Sequence, residues 1–175
     1  GPGQNWLLNN FSIPFAEYSA IDISDVMSKL TENHIHTCSI RDTSYSFNIF
    51  DCVIASLADP YFFPTALCEI WRILKPNGHY ILTTPSSKWS TGIRHVPDKT
   101  KFILEDNTVA EVYSFTFTLE VVKDIVQTCG FEIIFAEEKS AEMLILEGDK
   151  VSPILVDASK ANGTNIKELI LLNNL

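Results

Sequence analysis

The sequence predicts an α/β fold: a mostly parallel sheet with helices on both faces and one antiparallel late strand. Three observations predict it. Short apolar runs alternate with helical patterns along the chain, as strand–helix crossovers require. One run, Cys52-Val53-Ile54-Ala55-Ser56-Leu57, is apolar without alternation, the look of a central strand covered on both faces. The chain also opens on Gly1-Pro2-Gly3, and an acidic residue, Asp22, closes a strand about 20 residues later.

The elements follow in order. Residues 4–11 are expected as a short helix that offers Trp6, Leu7, Leu8 and Phe11 for burial and ends before Pro14. Residues 17–23 read as a strand ending in Asp22. Ser24 caps a helix running to Leu30, with Asp25 in its first turn, where a carboxylate meets the positive end of the helix dipole. Residues 34–40 alternate weakly and read as another strand. After the 51–57 run and Asp59-Pro60, residues 65–74 carry Leu67, Ile70, Trp71 and Leu74 at i, i+3, i+4 and i+7, one buried stripe. Lys75-Pro76-Asn77-Gly78 stops that helix, and 79–84 is the next strand, ended by Pro85. Residues 86–112 form a long, polar, irregular stretch, an insertion, a lid or a mobile loop. Thr118 caps a helix carrying Leu119, Val122, Ile125, Val126 and Cys129, with Gly130 in the stop position. Residues 131–136 and 153–159 read as strands that pair antiparallel across the 139–152 connection. Residues 166–172 read as a terminal helix, an apolar contact for a missing segment or a partner.

The 175 residues make one domain of ordinary size, and 46% hydrophobic content is enough to bury a core. A formal net charge of −9 argues against nucleic acid as a partner, because phosphate binding needs clustered Lys and Arg. A local basic group remains at Lys88, Arg94, Lys99 and Lys101. Cys38, Cys52, Cys68 and Cys129 are not in CxxC spacing, so buried free thiols in a reducing, cytoplasmic setting are expected. No apolar run reaches the ~18 residues of a bilayer span, so no membrane partner is expected. His34 and His36 have metal-ligand character but no third ligand at a matching spacing, and a solvent-facing strand is the expected reading. His79, at a strand start, is expected to be a satisfied structural histidine.

A glycine turn entering a helix, followed by a strand ending in a carboxylate, is how an open parallel sheet holds a nucleoside cofactor. Glycines let the backbone approach, the helix N-terminus offers free N–H groups, and the carboxylate takes the ribose hydroxyls. Gly1 and Gly3 leave no room for the strand that should precede them. The chain is therefore expected to be N-terminally truncated, to borrow a strand, or to carry Gly1-Pro2 as a remnant of tag cleavage.

Two blocks carry a family resemblance: Phe50-Asp51-Cys52-Val53-Ile54-Ala55-Ser56, and Glu69-Ile70-Trp71-Arg72-Ile73-Leu74-Lys75-Pro76-Asn77-Gly78 with the strand to Pro85. Together they resemble the second half of class I S-adenosylmethionine-dependent methyltransferases, which are Rossmann-like. Asn77 replaces the family's first turn glycine, and Asn also tolerates left-handed geometry. Cys129-Gly130-Phe131-Glu132 resembles the family's entry to a late strand, and 153–160 its closing strand. The resemblance covers residues 1–160, a methyltransferase-like domain, and leaves 161–175 as a C-terminal extension with a short helix.

The resemblance implies S-adenosyl-L-methionine as cofactor. It implies that Gly1 and Gly3 lie under its methionine end, that Asp22 holds the ribose, and that Ile23 packs beside the adenine. Ser39 and Ile40 follow the third strand, where Ser39 replaces the family's acid, leaving the Ser39 hydroxyl and the Ile40 backbone for the adenine edge. Ala55 and Ser56 would border the sulfonium. Asp59 and Tyr61 partly resemble an amino-methylating signature and are the candidate catalytic residues; a plain loop–helix junction is the other reading. Trp89 and Arg94 are candidates for closing over a substrate. The implied activity is methyl transfer to a small molecule or other non-nucleic-acid acceptor. The alternatives are a degenerate, non-catalytic scaffold of the same fold, suggested by the absent first strand and Ser39, and a nicotinamide-dependent oxidoreductase, against which the Lys-Pro-Asn-Gly and Phe-Asp blocks argue. The missing N-terminal segment of a longer chain, or a homo-oligomer, is the expected macromolecular partner.

Overall fold

The computed structural model describes residues 17–29, 35–56, 64–88, 99–103, 106–113, 115–138, 145–146, 149–150 and 153–160. Its principal sheet has four strands in the order β3-β4-β10-β7, where β3 is Phe50–Ala55, β4 Leu74–Pro85, β7 Phe131–Glu138 and β10 Pro153–Lys160. β3 and β4 are parallel, and β10 lies antiparallel between β4 and β7. Three of the four strands therefore point one way and the late strand opposes them, the α/β arrangement expected. A separate parallel pair joins β1 (Ala20–Asp22) to β2 (Ile35–Thr37) through the short helix α1 (Asp25–Lys29), and β8 (Ile145–Leu146) pairs antiparallel with β9 (Asp149–Lys150).

Helices α2 (Pro64–Ile73) and α3 (Leu119–Thr128) share one core on the principal sheet. Leu67, Ile70 and Trp71 of α2 and Val122 and Val126 of α3 meet Tyr80 and Leu82 of β4 and Val156 and Ala158 of β10, all nearly or fully buried. The i, i+3, i+4 spacing puts the α2 residues on one stripe, and burying each such side chain is worth about 1.5–3 kcal/mol. Trp71 also donates through Nε1 to the Gly130 carbonyl (3.3 Å), tying α2 to the turn between α3 and β7. Gly130 has φ 86°, a left-handed value that glycine adopts without a Cβ penalty. Thr118 caps α3, its side chain accepting from Val121 N (3.4 Å).

Four expectations need correction. The 86–112 stretch is not irregular throughout: β5 (Lys99–Ile103) and β6 (Val109–Tyr113) pair as an antiparallel hairpin. Neither Lys99-Thr100-Lys101-Phe102-Ile103 nor Val109-Ala110-Glu111-Val112-Tyr113 alternates polar and apolar residues, so neither strand stands out in sequence. β4 begins at Leu74, not at 79, because Phe50 pairs with Leu74 before the ladder shifts at the Pro76–Gly78 turn. β3 is covered on one face among the described residues: Val53 packs on the core while Cys52 and Ile54 are exposed. Cys52 is therefore not a buried thiol, whereas Cys129 is, and burial beside Cys68 pushes its thiol pKa up to about 12. The 4–11 and 166–172 helices lie outside the described residues.

Candidate functional site

In open α/β sheets, ligands sit beyond the carboxyl ends of the strands. β1 ends on Asp22, in register with Thr37 at the end of β2. The Asp22 side chain is largely buried, and its Oδ1 accepts from Ser24 N (2.8 Å), which turns the chain into α1. The Asp22 carbonyl accepts from Cys38 N (3.0 Å), which extends the parallel pairing to the doorstep of Ser39. Ser39 then turns back on itself: its Oγ accepts from Arg41 N and its carbonyl from Asp42 N (both 3.2 Å). Ile40 is drawn against the core, while Ile23 is 77% exposed beside Asp22. The structure thus brings Asp22, Ile23, Ser39 and Ile40 to one corner. That corner combines a carboxylate, an exposed apolar side chain and a hydroxyl turn, which suits a nucleoside: ribose, adenine face and adenine edge.

Ala55 closes β3 opposite Leu82, and Ser56 follows as an exposed bend. Both stand at a strand's carboxyl end, but in the principal sheet rather than beside β1. Gly1, Gly3, Asp59, Tyr61, Trp89 and Arg94 lie outside the described residues. Of the basic group, Lys88 pairs with Glu138 (2.7 Å), and Lys99 and Lys101 both pair with Glu111 (3.0 and 3.6 Å). The lysines are thus neutralised locally rather than massed for phosphate. His36 is exposed and touches Tyr45 edge-on (5.7 Å), and His79 pairs with Asp157 through Nδ1 (3.0 Å) at a half-exposed position. Among the described residues no group of three metal-ligating side chains converges.

A network that sequence reading did not assemble positions β3. The Glu69 carboxylate accepts from Arg72 Nε (2.6 Å) and Nη2 (2.7 Å) and from Thr43 N (2.8 Å). Arg72 Nη2 also donates to the Tyr45 carbonyl (2.7 Å), and its guanidinium lies over the Phe47 ring (4.7 Å). Burial works to raise the Glu69 pKa, but the hydrogen bonds from Arg72 and Thr43 outweigh it and hold the carboxyl below its ordinary value. The Glu-x-x-R spacing was visible as i, i+3; its partners in the loop before β3 carry no sequence signal. At the carboxyl end of β4, Ser86 is fully buried and Ser87 N donates to the Phe117 carbonyl (3.0 Å). The Lys88–Glu138 pair fastens the same segment to β7.

Residues 1–82 match the family described as "Methyltransferase domain". No relative is found among the curated proteins. Among solved structures, the chain is similar to an S-adenosylmethionine-dependent methyltransferase from Methanosarcina mazei, at 17% identity and TM-score 0.65, covering 81% of each chain. It is similar to the complex of the Haloferax volcanii Trm112 methyltransferase activator with a methyltransferase, at 13% identity and TM-score 0.66, covering 94% of this chain and 81% of the other. It is also similar to the [4+2]-cyclase SpnF, at 18% identity and TM-score 0.60, covering 93% and 74%.

Proposed function

We propose that this chain is a class I S-adenosylmethionine-dependent methyltransferase that moves the methyl group of S-adenosylmethionine to a small molecule or other non-nucleic-acid acceptor; the methyltransferase-domain match over residues 1–82 and the likeness in fold to solved methyltransferases support this reading. The single observation carrying the site is the corner where Asp22, Ile23, Ser39 and Ile40 meet at the ends of paired strands. In the proposed arrangement Asp22 takes the ribose hydroxyls, Ile23 one adenine face, and the Ser39 hydroxyl with the Ile40 backbone the adenine edge. Ala55 and Ser56 border the sulfonium, and Gly1 and Gly3 the methionine end. Asp59 and Tyr61 are proposed beside the methyl group, and Trp89 and Arg94 over the acceptor.

When bound, S-adenosylmethionine supplies a methyl carbon open to in-line displacement. The chain's own residues then align the acceptor and exclude water. The net charge of −9 and the paired lysines support an acceptor that is not a polyanion. A non-catalytic scaffold remains the second reading, favoured by Ser39 in place of an acid. Likeness to a cyclase shows that the fold by itself does not choose the reaction.

Calorimetric titration with S-adenosylmethionine tests the site. Asp22→Ala is expected to weaken binding about 10–100-fold, the worth of hydrogen bonds to a charged group. Asp22→Asn retains an oxygen for Ser24 N and so separates the lost charge from loss of the turn that leads into α1. Unchanged affinity in both variants, each folded by circular dichroism, would remove Asp22 from the site.

A further inference from the structure

The corner that carries Asp22 belongs to the β1-β2 pair, which shares no ladder with the principal sheet among the described residues. Side-chain bonds tie the two together instead. The Ser39 turn is closed locally by Arg41 N on Ser39 Oγ and by Asp42 N on the Ser39 carbonyl (both 3.2 Å). Bonds of that length lie at the weak end of the ordinary range. On one side the turn hangs from the bond of Cys38 N to the Asp22 carbonyl (3.0 Å). On the other side comes Thr43, which is buried. Its N–H (2.8 Å) and its hydroxyl both donate to the same oxygen of Glu69, on α2.

Glu69 is itself fixed by Arg72, through Nε (2.6 Å) and Nη2 (2.7 Å). Arg72 Nη2 also reaches the Tyr45 carbonyl (2.7 Å), so one ion pair on α2 grips Thr43 and Tyr45 together. Tyr45 carries the grip back to the corner. Its hydroxyl bonds Ser19 Oγ just before β1, and its ring meets His36 of β2 edge-on (5.7 Å). Asp42 lies one planar peptide from Thr43, so a displacement of Thr43 passes to the N–H that closes the Ser39 turn. The turn sets where Ser39 Oγ stands. A hydroxyl that accepts from one partner still has its proton to donate. Adenine presents an acceptor at N1, where hypoxanthine presents a proton. A donor fixed at that edge therefore reads one base against the other.

Taking the corner of Asp22, Ile23, Ser39 and Ile40 as the S-adenosylmethionine site, on which this rests, we propose that Glu69 and Arg72 are positioning residues for the cofactor: through Thr43 they set the Ser39 turn, and with it the selectivity for adenine. Calorimetric titration of the full chain with S-adenosylhomocysteine and S-inosylhomocysteine tests it. Wild type is expected to prefer the adenine ligand by about tenfold or more, the worth of one hydrogen bond made against two donors opposed. Glu69→Gln is expected to bring the two affinities within about threefold, by weakening the adenine ligand alone. Thr43→Val, nearly isosteric, is expected to move the ratio the same way by a smaller factor, and Thr43→Ser to restore it. Asp22→Ala is expected to weaken both ligands alike, since they share the ribose. Thr43→Val decides the matter if Glu69→Gln does not fold by circular dichroism. The wild-type ratio retained in the folded variants overturns the proposal and leaves the site standing. So does a loss shared equally by both ligands, because a general loosening of the fold does not distinguish bases, and so does a wild type that binds both ligands equally. A wild type that binds neither ligand overturns the cofactor reading itself, and the positioning role falls with it.

Discussion

Glu69 shows what one residue decides. Its carboxylate fastens α2 to the loop that delivers β3, and the bonds run to groups far apart in sequence. Its pKa is lowered in the folded chain, so its contribution is present above the unfolded value and fades as pH falls through the folded value. Thermal melts should therefore show wild type losing stability on acidification below the ordinary carboxylate range. Glu69→Gln should be less stable near neutrality by about 3 kcal/mol, since removing one partner of a largely buried pair strands the other, and flatter in acid. Equal acid slopes in the two proteins would assign the effect elsewhere. Gly78 is a second case. A Cβ there would meet the Lys75 carbonyl at 2.9 Å, Leu74 Cδ2 at 3.1 Å and the Asp51 carbonyl at 3.2 Å. Asn77 before it takes φ 63°. The turn that looked like a family signature is a place where backbone from β3 and β4 comes too close for a side chain.

Elements were legible where their signals were local. The stripe Leu67, Ile70, Trp71 announced α2, and Thr118 with Gly130 marked both ends of α3. Thr118→Ala is expected to cost about 0.5–1 kcal/mol by chemical denaturation, with Thr118→Ser restoring most of it, because a serine hydroxyl also accepts from the first turn. An unchanged midpoint in Thr118→Ala would show that the 3.4 Å contact contributes nothing. The β5–β6 hairpin was not legible. Its outward face mixes Lys99, Lys101 and Glu111 with Ile103, Val109 and Tyr113, all but Lys99 well exposed, so no alternation separated a core side from a solvent side. Ion pairing across the two strands, invisible to local patterning, organises that face instead.

For the whole molecule, charge makes the most general prediction. With 22 acidic against 13 basic side chains, the chain is expected to show no salt-dependent binding to duplex DNA or heparin at low ionic strength. Binding whose logarithm falls steeply with the logarithm of salt concentration would point to a polyanionic acceptor and remove the small-molecule reading. Among the described residues no helix is long and apolar enough to cross a membrane. The sequence by itself determined the strand–helix order, the helix stripes and caps, the antiparallel partner of β7 and the place of Asp22 at a strand end. Those follow from local periodicity and from residues whose backbone preferences do not depend on neighbours. Only the tertiary structure decided that β10 inserts between β4 and β7, that Ser39 folds into its own turn beside Asp22, and that Glu69 and Arg72 hold the approach to β3. It also decided that, among the described residues, the parallel strands form two pairs, with Tyr45 bonded to Ser19 and packed edge-on against Phe50. Each of these depends on which groups the finished chain brings within hydrogen-bonding or van der Waals range, and sequence distance carries almost no information about that.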